Sequence, residues 1–149
     1  MIYQWKSGAR IRADANAAGA QFEALEKSVG LSAETVLDAN RPEDAPLHDE
    51  FEWQDDIAAE EWRKHQARHL INCICITAES EDEPEAPVRA FFKTTESREY
   101  ENLQTIITHA DKRRALLETA LRELTAFERK YHTIEALTPV FRAIEEVRA

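Results

Sequence analysis

Two short stretches of the chain decide its fold class: Asn72–Thr77, which is NCICIT, and Val88–Thr94, which is VRAFFKT. Both contain the β-branched and aromatic residues that are enriched in strands. The intervening residues Ala78–Pro87, AESEDEPEAP, have the polar and acidic composition of a solvated loop. The two stretches therefore predict an antiparallel hairpin with a long connection. A third strand near Arg98–Glu101 has a fainter signal.

The chain before this hairpin has the apolar spacing of helices. In Ala9–Ser28, apolar residues recur three or four positions apart, which predicts an amphipathic helix, and Gly30 marks its end. A second helix is predicted from Ser32, whose hydroxyl can cap the first turn, to a point before Arg41. Residues 1–42 are thus predicted to contain a helical hairpin.

A central helix is predicted from Asp55 or Asp56 to about Ile71. Its early turns are acidic and its later turns are basic, which suits the helix dipole. The apolar stripe predicted along it comprises Ala59, Trp62, Gln66, Leu70 and Cys73.

After the strands, apolar spacing predicts helical segments at Asn102–Thr108, Asp111–Tyr131 and Thr133–Val147. Pro139 should kink the last segment or restart it, with Thr138 as the cap. The two long segments should fold back as an antiparallel helical hairpin packed on the small sheet. Their predicted stripes are Leu117, Leu121, Leu124, Phe127 and Tyr131, and then Ile134, Leu137, Val140, Phe141, Ile144 and Val147.

Together these elements predict a mostly helical α+β fold, with an N-terminal helical hairpin, a small antiparallel sheet of two or three strands and a C-terminal helical hairpin. At 149 residues the chain has the length of a single domain, with subregions 1–42, 43–101 and 102–149. No apolar run approaches the roughly 20 residues of a membrane span, and no signal-peptide pattern is present at the N terminus. We therefore expect a cytoplasmic protein.

The net charge of −10 is distributed unevenly. Residues 43–61 hold nine carboxylates and no Lys or Arg, residues 78–87 hold five carboxylates, and residues 98–149 balance nine charges of each sign. Such a chain repels nucleic acid and anionic membranes at long range. The acidic runs instead favour a partner with a basic surface.

Sequence patterns do not support an enzyme, and we predict no catalytic residue and no cofactor. Phosphate-binding loops need clustered glycines, whereas Gly8, Gly19 and Gly30 are isolated. No serine lies in a nucleophile elbow. Carboxylate pairs can be chosen at will in residues 49–61, so they carry no catalytic signal.

One cluster keeps a metal-dependent enzyme open as an alternative. Glu61, His65 and His69 are spaced to share one helix face, and two imidazoles four residues apart can bind zinc. Boundary packing beside the apolar stripe explains the same row, and we predict no metal site. Cys73 and Cys75 share a strand face with poor disulfide geometry and are predicted to be small buried side chains.

A longer motif extends from Pro46 to Ile71. It comprises Pro46-Leu47-His48-Asp49-Glu50-Phe51-Glu52-Trp53-Gln54-Asp55-Asp56, then Ala58-Ala59, Arg63 and Gln66-Ala67-Arg68-His69-Leu70-Ile71. This motif resembles a signature of uncharacterised phage and prophage proteins, PLHDxFEWxDD followed by QARxLI. Gln54 departs from it where the acidic run should begin. The resemblance implies an accessory protein of a phage that acts inside a bacterial cell, and it carries over no catalytic residue.

The loop within this motif is the predicted interaction surface. Pro42 and Pro46 argue against regular structure, whereas Leu47, Phe51 and Trp53 are too apolar to stand in water and should pin the loop to the core. The carboxylates would then be displayed outward. The predicted partner-binding residues are His48, Asp49, Glu50, Glu52, Asp55 and Asp56.

The sequence thus predicts a non-enzymatic interaction protein that binds a host or phage protein with a basic surface. The setting would be phage DNA transactions, gene regulation, or takeover of host or defence functions. The alternative in another class is a regulator that binds nucleic acid directly, through the N-terminal helical hairpin or the face of Arg63, Lys64 and Arg68. No oligomeric state follows from the sequence.

Overall fold

A computed structural model describes residues 2–54, 57–77, 86–94 and 97–149. Within these residues six α-helices and two small antiparallel sheets form an α+β fold, which confirms the predicted fold class. The elements in chain order are β1 (Ile2–Trp5), α1 (Ala15–Ser28), α2 (Ala33–Ala39), a 3-10 turn (His48–Glu50), α3 (Ile57–Cys73), β2 (Ile74–Thr77), β3 (Val88–Arg89), β4 (Phe91–Lys93), β5 (Tyr100–Asn102), α4 (Leu103–Thr108), α5 (Ala110–Tyr131), a 3-10 turn (Glu135–Leu137) and α6 (Thr138–Arg148).

The first sheet contains a strand that was not predicted. β1 and β3 flank β2, and both pairings are antiparallel, with Tyr3 opposite Ile76 and Ile76 opposite Val88. The predicted hairpin of β2 and β3 is therefore confirmed. β1 was missed because Ile2–Trp5 is a four-residue stretch whose partner strand lies some 70 residues away.

The first helix begins later than predicted. α1 starts at Ala15 rather than at Ala9, because the Asp14 carboxylate accepts a hydrogen bond from the Ala17 N–H at 2.8 Å and caps the helix there. The chain before it turns at Gly8, which has a φ of +83°. The apolar residues between this turn and Asp14 therefore belong to a non-helical segment.

The turn between α1 and α2 follows the prediction. Gly30 ends the first helical region with a φ of +89°, a conformation that favours glycine. Ser32 caps α2, and it forms a reciprocal capping box with Thr35. Both signals are local, which explains why they could be predicted from sequence.

Ala90 divides the second predicted strand between two sheets. Its N–H donates to the Ile74 carbonyl at 3.0 Å, and its carbonyl accepts from the Leu103 N–H at 2.8 Å. β3 on one side of Ala90 pairs with β2, while β4 on the other side pairs with β5. β5 corresponds to the faint third strand, but it belongs to this second sheet.

Three aromatic rings form the centre of the core. Phe91 stacks on Tyr3 at 6.3 Å between centroids and meets the edge of Phe22 at 5.7 Å. Around them the core gathers aliphatic side chains from α1, α2, α3 and β2. The fully buried ones include Leu31, Val36, Leu37, Ile71 and Ile74.

The side of α3 that faces the core is rotated from the predicted stripe and shares Leu70 and Cys73 with it. Trp62 is 53% exposed, and Gln66 is half-buried. Arg63 is buried instead, because its guanidinium lies 5.1 Å from the Trp53 ring centre and its Nε–H donates to the Glu52 carbonyl at 2.6 Å. The buried side of the helix comprises Arg63, Ala67, Leu70, Ile71 and Cys73.

The C-terminal helical hairpin is antiparallel, as predicted. Phe127 of α5 contacts Phe141 of α6, and the Arg148 guanidinium donates to the Thr125 hydroxyl at 2.6 Å. A new helix, α6, begins at Thr138 with Pro139 in its first turn, as predicted, but the Thr138 side chain does not cap it. The first half of α5 borders the second sheet, where Leu116, Thr119 and Ala120 line a cleft with Phe92 and Tyr100.

Among the described residues, no helix combines the length and the apolar composition needed to cross a membrane.

Glu26 of α1 offers a test of this packing through pH. Its carboxylate accepts the Asn102 N–H at 2.7 Å. Burial raises its pKa above the usual glutamate value, the Asn102 hydrogen bond opposes that rise, and the charges of Glu101 and Glu23 reinforce it. The folded state therefore holds the proton more tightly than the unfolded chain, and this contribution to stability is lost as pH rises through the raised pKa.

Replacement of Glu26 by Gln is accordingly expected to raise the melting temperature at pH 7, since the amide oxygen can still accept the Asn102 N–H. The gain should disappear at a pH below the ordinary glutamate pKa of about 4.3. Thermal unfolding at both pH values checks this, with the exposed Glu135→Gln as the control. A melting temperature at pH 7 that is unchanged or lower would contradict the proposed cost of the buried charge.

Candidate functional site

Residues 41–54, here called the acidic loop, are fastened to the core by three apolar side chains. Leu47 is fully buried, and Phe51 is buried beside it. Trp53 is half-buried against the core, and its Nε1–H donates to the His48 carbonyl at 2.8 Å. The predicted anchoring by these three residues is confirmed.

Asn40 is a further anchor that the sequence analysis missed. Its buried amide oxygen accepts the Leu47 N–H at 2.9 Å, and its amide nitrogen donates to the Val36 carbonyl at 2.7 Å and to the Gln21 side chain at 2.8 Å. Its own carbonyl lies 2.9 Å from Nδ1 of His48. Asn40 therefore joins the end of α2 to the acidic loop. The signal in the sequence was an Asn at a predicted helix end, a position where this residue commonly bonds the backbone.

Two of the predicted partner-binding residues are turned toward the protein. The His48 ring stacks on Trp53 at 4.7 Å between centroids. One Glu50 carboxylate oxygen accepts the backbone N–H groups of Arg12 at 2.9 Å and Ala13 at 2.8 Å. The expected outward display of the carboxylates is therefore wrong for Glu50, whose side chain completes a contact that holds the loop in place, as the His48 ring also does.

Other carboxylates of the loop do face solvent. Glu43, Asp44 and Asp49 are exposed, and within the described part of the chain their side chains make no hydrogen bond or ion pair. Glu52 is also exposed, and its carboxylate accepts the Gln54 N–H at 3.2 Å. The predicted residues Asp55 and Asp56 lie outside the residues that the structure describes.

Two cations beside the exposed carboxylates are paired with other carboxylates, whereas the exposed Arg12 lines a cavity together with Asp49 and Glu50. Arg41 bonds Asp38 at 2.9 Å and Glu60 at 2.6 Å, and these hydrogen bonds raise the pKa of its guanidinium. Lys64 lies 3.2 Å from a Glu61 oxygen. Neither Arg41 nor Lys64 therefore neutralises the exposed carboxylates of the loop.

The face of Arg63, Lys64 and Arg68 is not a basic patch. Arg63 is 4% exposed, and Lys64 pairs with carboxylates, so Arg68 is the one of the three that stands open to solvent. The N-terminal helical hairpin is no better suited to a phosphate backbone. α2 has no basic residue and exposes Glu34 and Asp38.

An open cavity of about 360 Å³ adjoins the loop, and we call it the Trp62 pocket. It is lined by Arg10, Ile11, Glu50, Trp62, His65, Gln66, His69 and Leu70. The exposed Trp62 ring stacks on His65 at 5.3 Å. Glu50 also lines a neighbouring cavity with Asp49 and Pro46, so the pocket and the acidic loop form one surface.

The Trp62 pocket was missed because helical spacing places Trp62 on the apolar stripe. The sequence feature that could have indicated an exposed Trp62 lies one helical turn later, where His65 and Gln66 are both polar. An aromatic residue with polar neighbours at three and four positions is at odds with a core position.

The side chains of Glu61, His65 and His69, the candidate metal ligands, do not converge on a common point. His65 stacks on Trp62, Glu61 pairs with Lys64, and the His69 ring lies 3.6 Å from the Cys73 sulfur. Among the residues described, no group of three or more His, Cys, Asp or Glu side chains is arranged to hold a metal ion.

The two cysteines are buried, as predicted, and both are free thiols. Burial raises the pKa of Cys73 and of Cys75, which lowers the thiolate fraction at neutral pH. Cys73 is the last residue of α3 rather than part of the strand.

Comparisons with protein-family models, with curated proteins and with solved structures found nothing that matches this chain. The resemblance of residues 46–71 to phage and prophage proteins stays a prediction.

Proposed function

We propose that this chain is a non-enzymatic accessory protein of a phage that acts by binding a host or phage protein with a basic surface. The contact surface comprises the acidic loop and the Trp62 pocket. The observation that supports it most is the position of Trp62, exposed at the rim of a cavity that shares Glu50 with the loop.

Trp62 has the properties of a binding hot spot. Tryptophan is enriched among the few residues that dominate binding energy, and such residues lie beside pockets that exclude water. Ile11 and Leu70 supply apolar lining to the cavity. The pocket therefore suits an apolar or aromatic side chain of the partner.

The exposed carboxylates Glu43, Asp44 and Asp49 would meet the basic residues around that side chain. Charges of this kind mainly raise the rate of association and select the partner, and salt screens them. The partner need not reorganise the loop, because Leu47, Phe51 and Asn40 already hold it. A preformed surface lowers the entropy cost of binding.

The same geometry favours a protein over a nucleic acid as the partner. The surface with exposed carboxylates would repel phosphates, and the helix that would recognise DNA exposes Glu34 and Asp38.

Affinity capture from phage-carrying bacteria, followed by binding measurements with the captured protein, tests the proposal. Trp62→Ala is expected to weaken binding about 30-fold, the equivalent of the ~2 kcal/mol that marks a hot spot. The triple variant Glu43→Gln, Asp44→Asn, Asp49→Asn should slow association, and the difference should shrink at high salt.

Matched controls remove similar groups elsewhere. Ile107→Ala removes another exposed apolar side chain, and Glu135→Gln with Glu146→Gln removes two exposed charges. These should leave binding unchanged. Wild-type affinity in both Trp62→Ala and the triple variant would refute the proposed surface.

A further inference from the structure

The C-terminal helical hairpin exposes an unusual number of large apolar side chains. Across α5 and α6 the only fully buried residues are Ala115 and Ile144, among the residues described. The predicted stripes are therefore mostly outside the core. The large apolar residues exposed on the two helices are Leu117, Leu124, Phe127, Val140 and Val147.

These residues recur at regular intervals. Leu117 and Leu124 are seven positions apart in α5, as are Val140 and Val147 in α6. A seven-residue interval returns to the same helix face, the arrangement in which one helix packs against another along its length. Each helix thus carries a stripe that its neighbour in the hairpin does not fully cover.

The lengths of the two helices explain the incomplete cover of α5. α5 has 22 residues and α6 has 11. At 1.5 Å per residue they extend about 33 Å and about 16 Å, so α6 can cover no more than half of α5. Leu117 lies in the half of α5 that α6 does not reach, and it is 51% exposed.

We propose that this hairpin is one half of a four-helix bundle that a second copy of the chain completes. Two helices about 10 Å wide and of these lengths present roughly 500 Å² per copy, or ~1,000 Å² in total, which reaches the lower limit for a specific interface. The two copies are related by a twofold axis, so each stripe meets the same stripe of its partner.

The charge of the hairpin is the reason to propose a second copy of the chain as the partner that covers its exposed stripes. Residues 98–149 carry nine charges of each sign, whereas the remaining residues carry the entire net charge of −10. The hairpin therefore does not repel itself, and its apolar stripe is bordered by both signs, with Arg114 and Glu118 near Leu117. A strongly basic partner would be drawn to the acidic loop instead.

Sedimentation equilibrium of the full chain over a range of concentrations tests this proposal. The wild-type chain should pass from one-chain to two-chain mass with a dissociation constant of about 10–100 µM, as for a small interface. The double variant Leu117→Lys, Val147→Lys should raise that constant at least tenfold. Val29→Lys, at a residue that is 65% exposed outside the hairpin, should dimerise like the wild type.

Circular dichroism of each variant at low concentration checks that the helices are retained, and Leu117→Gln with Val147→Gln replaces the lysine variant if they are not. A wild-type chain that stays monomeric throughout this range, or a folded double variant that dimerises like the wild type, would overturn the proposal. The hairpin shares no residue with the acidic loop or the Trp62 pocket, so this result is independent of the proposed function.

Discussion

Replacement of Gly19 by alanine is expected to destabilise the fold by about 3 kcal/mol, the upper range for an overpacked core. Gly19 lies in the middle of α1, where alanine would normally be favoured by about 1 kcal/mol. A Cβ at this position would overlap the Tyr3 ring of β1. That ring cannot easily move, because it stacks on Phe91 and its hydroxyl bonds Glu23. Urea unfolding with an unchanged m-value measures the loss.

The Tyr3→Ala background identifies the cause of this loss. Without the ring, Gly19→Ala should be neutral or slightly stabilising, since only its helix propensity remains. An equal penalty in both backgrounds would show that the contact between α1 and β1 is not responsible.

The second large effect is expected at Asn40. Asn40→Ala leaves the buried Leu47 N–H and the buried Val36 carbonyl without their side-chain partner. Each such loss costs about 1–3 kcal/mol, so the free energy of unfolding should fall by about 3 kcal/mol. The acidic loop should also become more susceptible to proteases, because Asn40 holds its first half.

Gln21→Ala is the matched control for Asn40. It removes the two hydrogen bonds that the amide side chains exchange but leaves the bonds of the Asn40 side chain to the backbone in place. Its cost should stay near 1–2 kcal/mol, about that of two ordinary hydrogen bonds. If Asn40→Ala costs no more than Gln21→Ala, the proposed role of Asn40 in fastening the loop is wrong.

Local signals explain which parts of the fold could be predicted from the sequence. Gly30, Ser32 and Pro139 each act within a few residues, and the structure places a helix boundary at each of them. The strand Ile2–Trp5 could not be predicted, because its pairing partner is distant in sequence.

The orientation of α3 shows a second limit. Helical spacing alone cannot distinguish Trp62 from Arg63 as the inward residue. The choice depends on Trp53, which packs over the Arg63 guanidinium from another part of the chain. The exposure of Trp62, and with it the pocket, is a consequence of that tertiary contact.

The acidic loop shows the same limit at the candidate site. Its composition predicts negative charge, and its apolar residues predict anchoring. Neither distinguishes Glu50, which bonds backbone N–H groups, from Asp49, which faces solvent. The C-terminal stripes are similar, since periodicity identifies an apolar face but not what covers it.

The most direct test of the proposed interaction surface is site-specific photo-crosslinking in phage-carrying bacteria. A photoreactive residue is placed at the exposed positions Asp49 and His65, and at exposed Lys27 of α1 as the control. We expect positions 49 and 65 to capture the same basic protein and position 27 not to capture it, and Trp62→Ala should strongly reduce the capture. Capture of nucleic acid from positions 49 and 65, or of no protein at either position, would contradict the proposed surface.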